Sequence, residues 1–428
     1  MGRAFSPLDD ELALLPGHLT PHLLESVAHL GTWLPFDRAA QELRHFTQVE
    51  VSESTLRRHV EAAGAAYVRL QDEEAQTIKR ELPPAPAGPD VQQLSVDGAM
   101  IPLVHREWGE VRTLAIGVVE KPVLKQGEMV VHTGHVSYFS RLCDADTFGD
   151  LALVETHRRG TESAKTVCAV VDGALWEQGF IDLHRPDAVR ILDFPHAGEY
   201  VATAGQVVYG QDTEPVKQWL AEELHRLKHD GPQTVLADLR QLEHLVPSDD
   251  KKGTLRDCLA YLDKRQEQMR YPEFIAAGYP IGSGMVESGH KVVIEARLKG
   301  AGMHWARPHV NPMAALRNIA CSDRWDEAWP QICQRLRTDA RRSRNEKHQQ
   351  RAEKKKQRGA GDGAKIELAA VPATAQTEKP GPPGSHMPPQ PATAQGTAHR
   401  PAADHPWRHA PIGRAHVRRT ERVTHAKL

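Results

Sequence analysis

The sequence has no C-x-x-C pair. Its five cysteines, Cys143, Cys168, Cys258, Cys321 and Cys333, are scattered along the chain, which argues against both a disulfide framework and a thiolate zinc site. It has no apolar run approaching the ~18 residues of a membrane-spanning helix. The N-terminal stretch MGRAFSPLDDELALLPG also lacks the apolar centre of a signal peptide, so the chain reads as cytoplasmic. Net charge is nearly missing too: −2 at neutral pH gives no global hint of a polyanionic partner. What is present is globular in composition, with 40% hydrophobic and 26% charged residues over 428 positions. That is enough chain for two or three domains and a sizeable core.

The charge that exists is unevenly placed. Between Arg335 and Arg358 eleven Lys and Arg residues stand against Asp339, Glu346 and Glu353, a net +8. Such a block can neutralise phosphates, and it can equally be the solvated end of a helix running into a tail.

Hydrophobic periodicity divides the chain. Residues 1–80 read as helical. In PFDRAAQELRHF the residues Phe36, Ala39, Ala40, Leu43 and Phe46 recur at helical spacing. SESTLRRHVEAAG follows, with Ser52 as N-cap, Leu56 and Val60 as apolar face and Gly64 as stop. Two short helices, the second exposing Arg57, Arg58 and His59, fit a DNA-binding helix-turn-helix. ELPPAPAGPD (81–90) is a linker by composition. Beyond it, VQQLSVDGAMIPLV, VRTLAIGVVEKPV and MVVHTGHVSYFS read as three consecutive strands, then DADTFGDLALVETHRRG as helix, then TVCAVVDG and AVRILDF as two more strands. The pattern predicts an α/β fold with a mixed sheet. A helical insertion is expected over 211–275, with leucine stripes 236/239/242/245 and 255/259/262, and a long helical stretch from PIGSG to about residue 305. The tail from 359 to 428, rich in Ala, Pro, Gly, Thr and His, is expected to be disordered.

Residues 281–291, IGSGMVESGHK, approach a P-loop and miss it. His290 takes the lysine position, no Ser or Thr follows Lys291, and no strongly apolar strand immediately precedes Gly284. The stretch makes better sense around its carboxylate, Glu287, with Ser283 as helix cap, the glycines as a tight approach and Lys291 one turn on. Two further acids lie where an apolar element meets a glycine turn: Asp97, ending LSVDG, and Asp172, ending AVVDG. A lone D-G is commonly just a turn; three such acids together carry more. Carboxylates at strand ends and helix starts can converge in a sheet protein, and converging acids suit hard divalent cations such as Mg²⁺. The sequence predicts Asp97, Asp172 and Glu287 within one metal-sized cluster. Asp193, in RILDFPHAGEY, is an alternative ligand or a hydrogen-bonding neighbour, and His196 is placed to orient an acid or touch a phosphate.

The blocks VDGAM, VVDGALW, ILDFPHAGEY and PIGSGMVESGHKVVIEARLKGAGMHW resemble bacterial insertion-sequence transposases of the DDE type, specifically the ISKra group within the Mutator-like set, from roughly residue 30 to 335. The resemblance implies an RNase H-like core (91–210 and 276–335) interrupted by the helical insertion. It also implies two Mg²⁺ ions, with Mn²⁺ as substitute, and cutting and joining of double-stranded DNA at the element's terminal inverted repeats and at target DNA. It further implies a homo-oligomer on DNA, and hence a nucleoid-associated protein. Carried over by residue, the acids are Asp97, Asp172 and Glu287. The D-x-x-H motif of such relatives falls on Asp193 and His196, which favours Asp172 over Asp193 as second acid. Arg297 and Lys299, beyond Lys291, are then candidates for DNA contact along with the basic segment 336–358. A DNA-binding regulator without activity, and a nuclease or resolvase on the same fold, remain the competing readings.

Overall fold

The computed structural model describes residues 19–361 apart from 126, 127, 212 and 247. The tail expected from 359 lies, after Gly361, outside the described residues.

Three helices come first: α1 (Pro21–Trp33), α2 (Phe36–Thr47) and α3 (Glu53–Glu81). Ser52 does cap α3, its hydroxyl accepting the Thr55 amide at 3.3 Å. The sheet follows: β1 (Val91–Pro102), β2 (Trp108–Val119), a small ribbon of β3 (Val123–Lys125) and β4 (Glu128–Val130), then β5 (Thr133–Arg141). After α4 (Ala145–Arg158) come β6 (Thr166–Val171), α5 (Leu175–His184) and β7 (Val189–Leu192). Strand order is β5–β2–β1–β6–β7. β5, β2 and β1 are antiparallel, and β6 and β7 extend the sheet parallel to β1. The α/β fold with a mixed sheet is therefore present, with all five predicted strands.

The remaining described residues are mainly helical: α6 (Phe194–Tyr209), α7 (Glu214–His229), α8 (Pro232–Leu242), α9 (Asp249–Asp263), α10 (Tyr271–Ala276), α11 (Gly284–Gly289), a π-helical turn His290–Glu295, α12 (Ala296–Leu298), α13 (Arg307–Cys321) and α14 (Trp325–Gly361).

The period-2 alternation of the strands sorts their side chains into layers. Leu94, Val96, Leu114, Ile116, Val167, Ala169 and Val171 point to one face and pack with α4 and α5. The opposite face is shared. Cys168, Val170 and Ile191 meet α6 and the helices α7–α9, while Ala99, Ile101, Val111 and Ala115 meet α1–α3, α13 and α14. The predicted leucine stripes are the inner faces of the insertion, except Leu245, which is exposed. Each fully buried leucine contributes roughly 1.5–3 kcal/mol. Leu236, Leu239 and Leu242 therefore anchor α8 far more firmly than its intrinsic propensity, which spans at most about 0.7 kcal/mol per ordinary residue.

Two sequence expectations are corrected here. Helix α3 does not stop at Gly64 but runs on to Glu81. A Cβ on Gly64 would fall on the Pro312 carbonyl of α13, so this glycine serves a helix–helix approach rather than a terminus. The long helix expected after PIGSG is present and continuous from Gly284 to Leu298, with the π-helical turn inside it, but it ends at Leu298 rather than near residue 305, before α13 begins. Among the described residues, no helix is long and apolar enough to cross a membrane.

Candidate active site

β1 runs past Asp97 to Pro102, paired to β2 throughout, so Asp97 does not end its own strand as its D-G suggested. It sits instead where the neighbouring strand stops. Pairing of β1 with β6 ends at Leu94–Ala169, and the same offset carried three residues on sets Asp97 beside Asp172, just past the end of β6. Pairing of β6 with β7 ends at Val171–Leu192, so Asp193 follows in the same row. On the other flank Asp97 pairs with Thr113, and Thr113 with Ser140, their hydroxyls 3.0 Å apart. One row across the sheet thus reads Ser140, Thr113, Asp97, Asp172, Asp193, on the face opposite α4 and α5. The Asp97 charge is near enough to raise the proton affinity of Asp172, which makes the two acids neighbours.

The three aspartates differ in what they hold. Asp193 is buried and bonded on both oxygens: Oδ2 accepts the His196 amide at 2.9 Å, capping α6, and Oδ1 accepts the Ser283 amide at 2.6 Å. With one backbone amide on each oxygen, Asp193 braces β7 to the approach to α11. Asp97 and Asp172 are 34% and 36% exposed. Asp97 Oδ1 accepts the Gly98 amide at 2.6 Å, and its Oδ2 lies 3.4 Å from His290 Nδ1. Asp172 Oδ2 lies 3.8 Å from His196 Nδ1.

Gln93 Nε2 donates to the Gly282 carbonyl at 2.9 Å and the Phe194 amide to the Ile281 carbonyl at 2.9 Å. Together with Asp193 these bonds pin the IGSG segment to the sheet. Glycine is not needed for space at 282 or 284, where an added Cβ meets at most ordinary contact. It is needed at Gly289, where the Tyr138 ring would be in the way. Ser283 occupies the N-cap position of α11, but its side chain makes no capping bond. Glu287, in the first turn of α11, is exposed and near enough to raise the proton affinity of both Asp97 and Asp172. The π turn starts directly after Gly289, a distortion of a kind frequent at functional sites.

The electrostatics are those of crowded acids. Burial raises the Asp97 carboxyl above its usual range, and Glu110 and Glu287 raise it further. Burial, with Asp97, Asp193 and Glu287 nearby, pushes Asp172 up to about 6, although His196 opposes this. Glu177 of α5, buried with one carboxylate oxygen accepting the Ala174 amide at 2.9 Å, is pushed up to about 8 by burial and then by Asp172. Sequence reading misses Glu177, Glu110 and His290 as members of this site. Glu177 and Glu110 sit in no glycine motif, and His290 stands in the sequence only as the residue in a P-loop lysine's place.

The donor set fits a hard divalent cation: neighbouring, partly exposed carboxylates, with Asp97 raising the proton affinity of Asp172 and Glu287 that of both. Asp97 and Asp172 would hold such an ion, with Glu287 the nearest exposed carboxylate on the helix above. Among the described residues no three His, Cys, Asp or Glu side chains are drawn within reach of a single ion. Glu287 is exposed, yet its charge reaches both aspartates.

The basic candidates separate as well. Arg57 and Arg58 are exposed in the first turns of α3, and His59 is half-buried with its pKa lowered by burial and by Arg58. Lys291 and Lys299 are exposed, Lys299 pairing with Glu295 at 2.9 Å. Arg297 is not a surface cation. It is 2% exposed, its guanidinium lies over the rings of Phe36 and Trp305, and its Nε donates to the Gly31 carbonyl at 3.2 Å. Burial, and then Arg317, lower its pKa to about 10. It ties α12 to α1 and α2 and is unavailable to a phosphate.

The chain matches no protein-family model, and no curated protein matches it.

Proposed function

We propose that this chain is a DDE-type DNA transposase that binds the ends of a mobile element as double-stranded DNA, cleaves them and transfers the strand, with Asp97, Asp172 and Glu287 as its acids. One observation carries the reading: the strand register sets Asp97 beside Asp172, with Glu287 close enough to perturb both. The strand order, an antiparallel meander extended by two parallel strands, supports an RNase H-like core, and α7–α10 supply the insertion ahead of the last acid.

A divalent ion such as Mg²⁺, when bound, would activate a nucleophile and stabilise the leaving oxygen at a phosphodiester. The chain's own residues provide position and charge. Asp97 is fixed by its strand and by the Gly98 amide; Asp172 is fixed by the turn after β6. His290 and His196 each place an imidazole against one aspartate. Asp193 couples the approach to Glu287 to the same sheet row, so the acids are preorganised by backbone rather than by flexible side chains. Exposed Arg57, Arg58, Lys291 and Lys299, with the basic end of α14, form the cationic complement for DNA. Assembly of copies on DNA belongs to the same proposal.

The test is cleavage and strand transfer on oligonucleotides carrying the inverted repeats that flank the coding region. Asp97→Ala and Glu287→Ala are expected to lose both steps, on the order of a hundredfold or more, while retaining DNA binding. Retained strand transfer in either variant would overturn the assignment. Wild-type protein that binds the ends but never cuts them would indicate a regulator, and cutting without transfer a nuclease.

A further inference from the structure

The turn that carries Asp172 is gripped by the helical insertion. Tyr261 of α9 donates its hydroxyl to the Asp172 carbonyl. One turn on, Arg265 donates to the Gly173 carbonyl at 2.6 Å and to the Tyr261 carbonyl at 2.9 Å. The Arg265 guanidinium lies 3.7 Å over the Tyr261 ring. That ring stacks flat on Tyr200 of α6, with centroids 3.8 Å apart and planes 1° from parallel. His196 sets its edge against both tyrosines, at 5.4 and 5.9 Å, while facing Asp172. Gly173 has φ +83°, and a Cβ there would collide with Arg265 Nε, so the turn and the arginine are shaped to each other. From the opposite side Glu177 accepts the Ala174 amide. Backbone groups of three consecutive residues, 172–174, are therefore held by side chains from α5, from α9 and from the turn just after α9.

We propose that Tyr261 and Arg265 are positioning residues: through the Asp172–Gly173 peptide they fix the direction of the Asp172 carboxylate relative to Asp97. The insertion is then a structural part of the acid site, not a spacer between its acids. Asp172 lies beyond the end of β6 and gains no aim from strand pairing on its own account. A loop carboxylate free to swing would hold a cation poorly, and a side chain that orients a ligand typically matters 10–100-fold in metal affinity. This inference rests on the reading of Asp97 and Asp172 as a divalent-cation site.

The experiment is Mn²⁺ binding to the full-length chain by electron paramagnetic resonance, alongside thermal unfolding. Tyr261→Phe keeps the ring stack and removes only the hydroxyl; Arg265→Ala removes the second contact, and Arg265→Lys restores a donor. Each removal is expected to weaken Mn²⁺ binding about tenfold, with partial recovery in Arg265→Lys and the unfolding midpoint of Tyr261→Phe close to wild type. If Asp97→Asn abolishes Mn²⁺ binding but Tyr261→Phe and Arg265→Ala bind like wild type, the positioning role is overturned and the acid site stands. If wild type does not bind Mn²⁺, or Asp97→Asn binds it equally well, the cation site itself falls and the positioning role with it.

Discussion

At the scale of single residues, the acids differ in what their surroundings ask of them. Asp193 makes two bonds to backbone amides and has a structural duty, whereas Glu177 is buried where its charge is unwelcome. Its proton affinity is raised from an ordinary 4.5 to about 8. Between those values the folded chain keeps a proton that the unfolded chain has released, so its contribution to stability falls as pH rises through that window and levels off above it. Glu177→Gln cannot ionise yet still offers an oxygen to the Ala174 amide. In chelator, it is expected to be more stable than wild type at pH 8.5 by on the order of 4–5 kcal/mol, and to converge with wild type near pH 4.5. Urea unfolding at the two pH values checks this, and equal gains at both would refute it. Asp193→Ala should act through the fold. It strands the His196 and Ser283 amides and is expected to cost about 1–3 kcal/mol, seen as a lowered urea midpoint.

At the scale of elements, glycines show what a lone sequence can and cannot disclose. Gly64 and Gly253 both lie inside helices. A Cβ at Gly64 collides with the Pro312 backbone, and one at Gly253 meets nothing within 4 Å. Gly64→Ala is expected to destabilise by about 1–3 kcal/mol, and Gly253→Ala to stabilise by about 0.5–1 kcal/mol through helix propensity. Denaturant midpoints of the two variants should move in opposite directions. The five strands are legible because β-branched runs and turn residues encode them locally. The leucine stripes of α8 and α9 are legible because they follow the helical period. The end of α3 is not, since a glycine that admits another helix looks the same as one that stops its own. Arg297 misleads for a related reason: a cation in a polar-looking stretch gives no local sign that two aromatic rings from distant segments will cover it. Asp97 and Asp172 are visible as D-G pairs, but their adjacency resides in strand register, which no short motif records.

Across the whole molecule, a net charge of −2 conceals a partition. Acids crowd one row of the sheet, while the exposed end of α14 carries Arg342, Arg344 and Lys347 with few neighbours. If that helix lies along a DNA backbone, replacing these three with Gln should weaken binding to every sequence alike. It should also flatten the dependence of log K on log salt by about 0.9 for each phosphate no longer neutralised. Fluorescence anisotropy over a salt titration reads the slope, and an unchanged slope would place the DNA elsewhere. The aligned row of Asp97 and Asp172 has one more consequence, which concerns folding. β6 is apolar on both sides, Cys168 and Val170 to one layer and Val167, Ala169 and Val171 to the other, so oiliness alone distinguishes poorly between its correct alignment and a slip of one position. A slip would reverse the facing of every side chain and drive the Asp172 carboxylate under α4 and α5, where an unpaired charge is costly. The acid therefore serves as an alignment mark: its charge makes the misassembled sheet the disfavoured one.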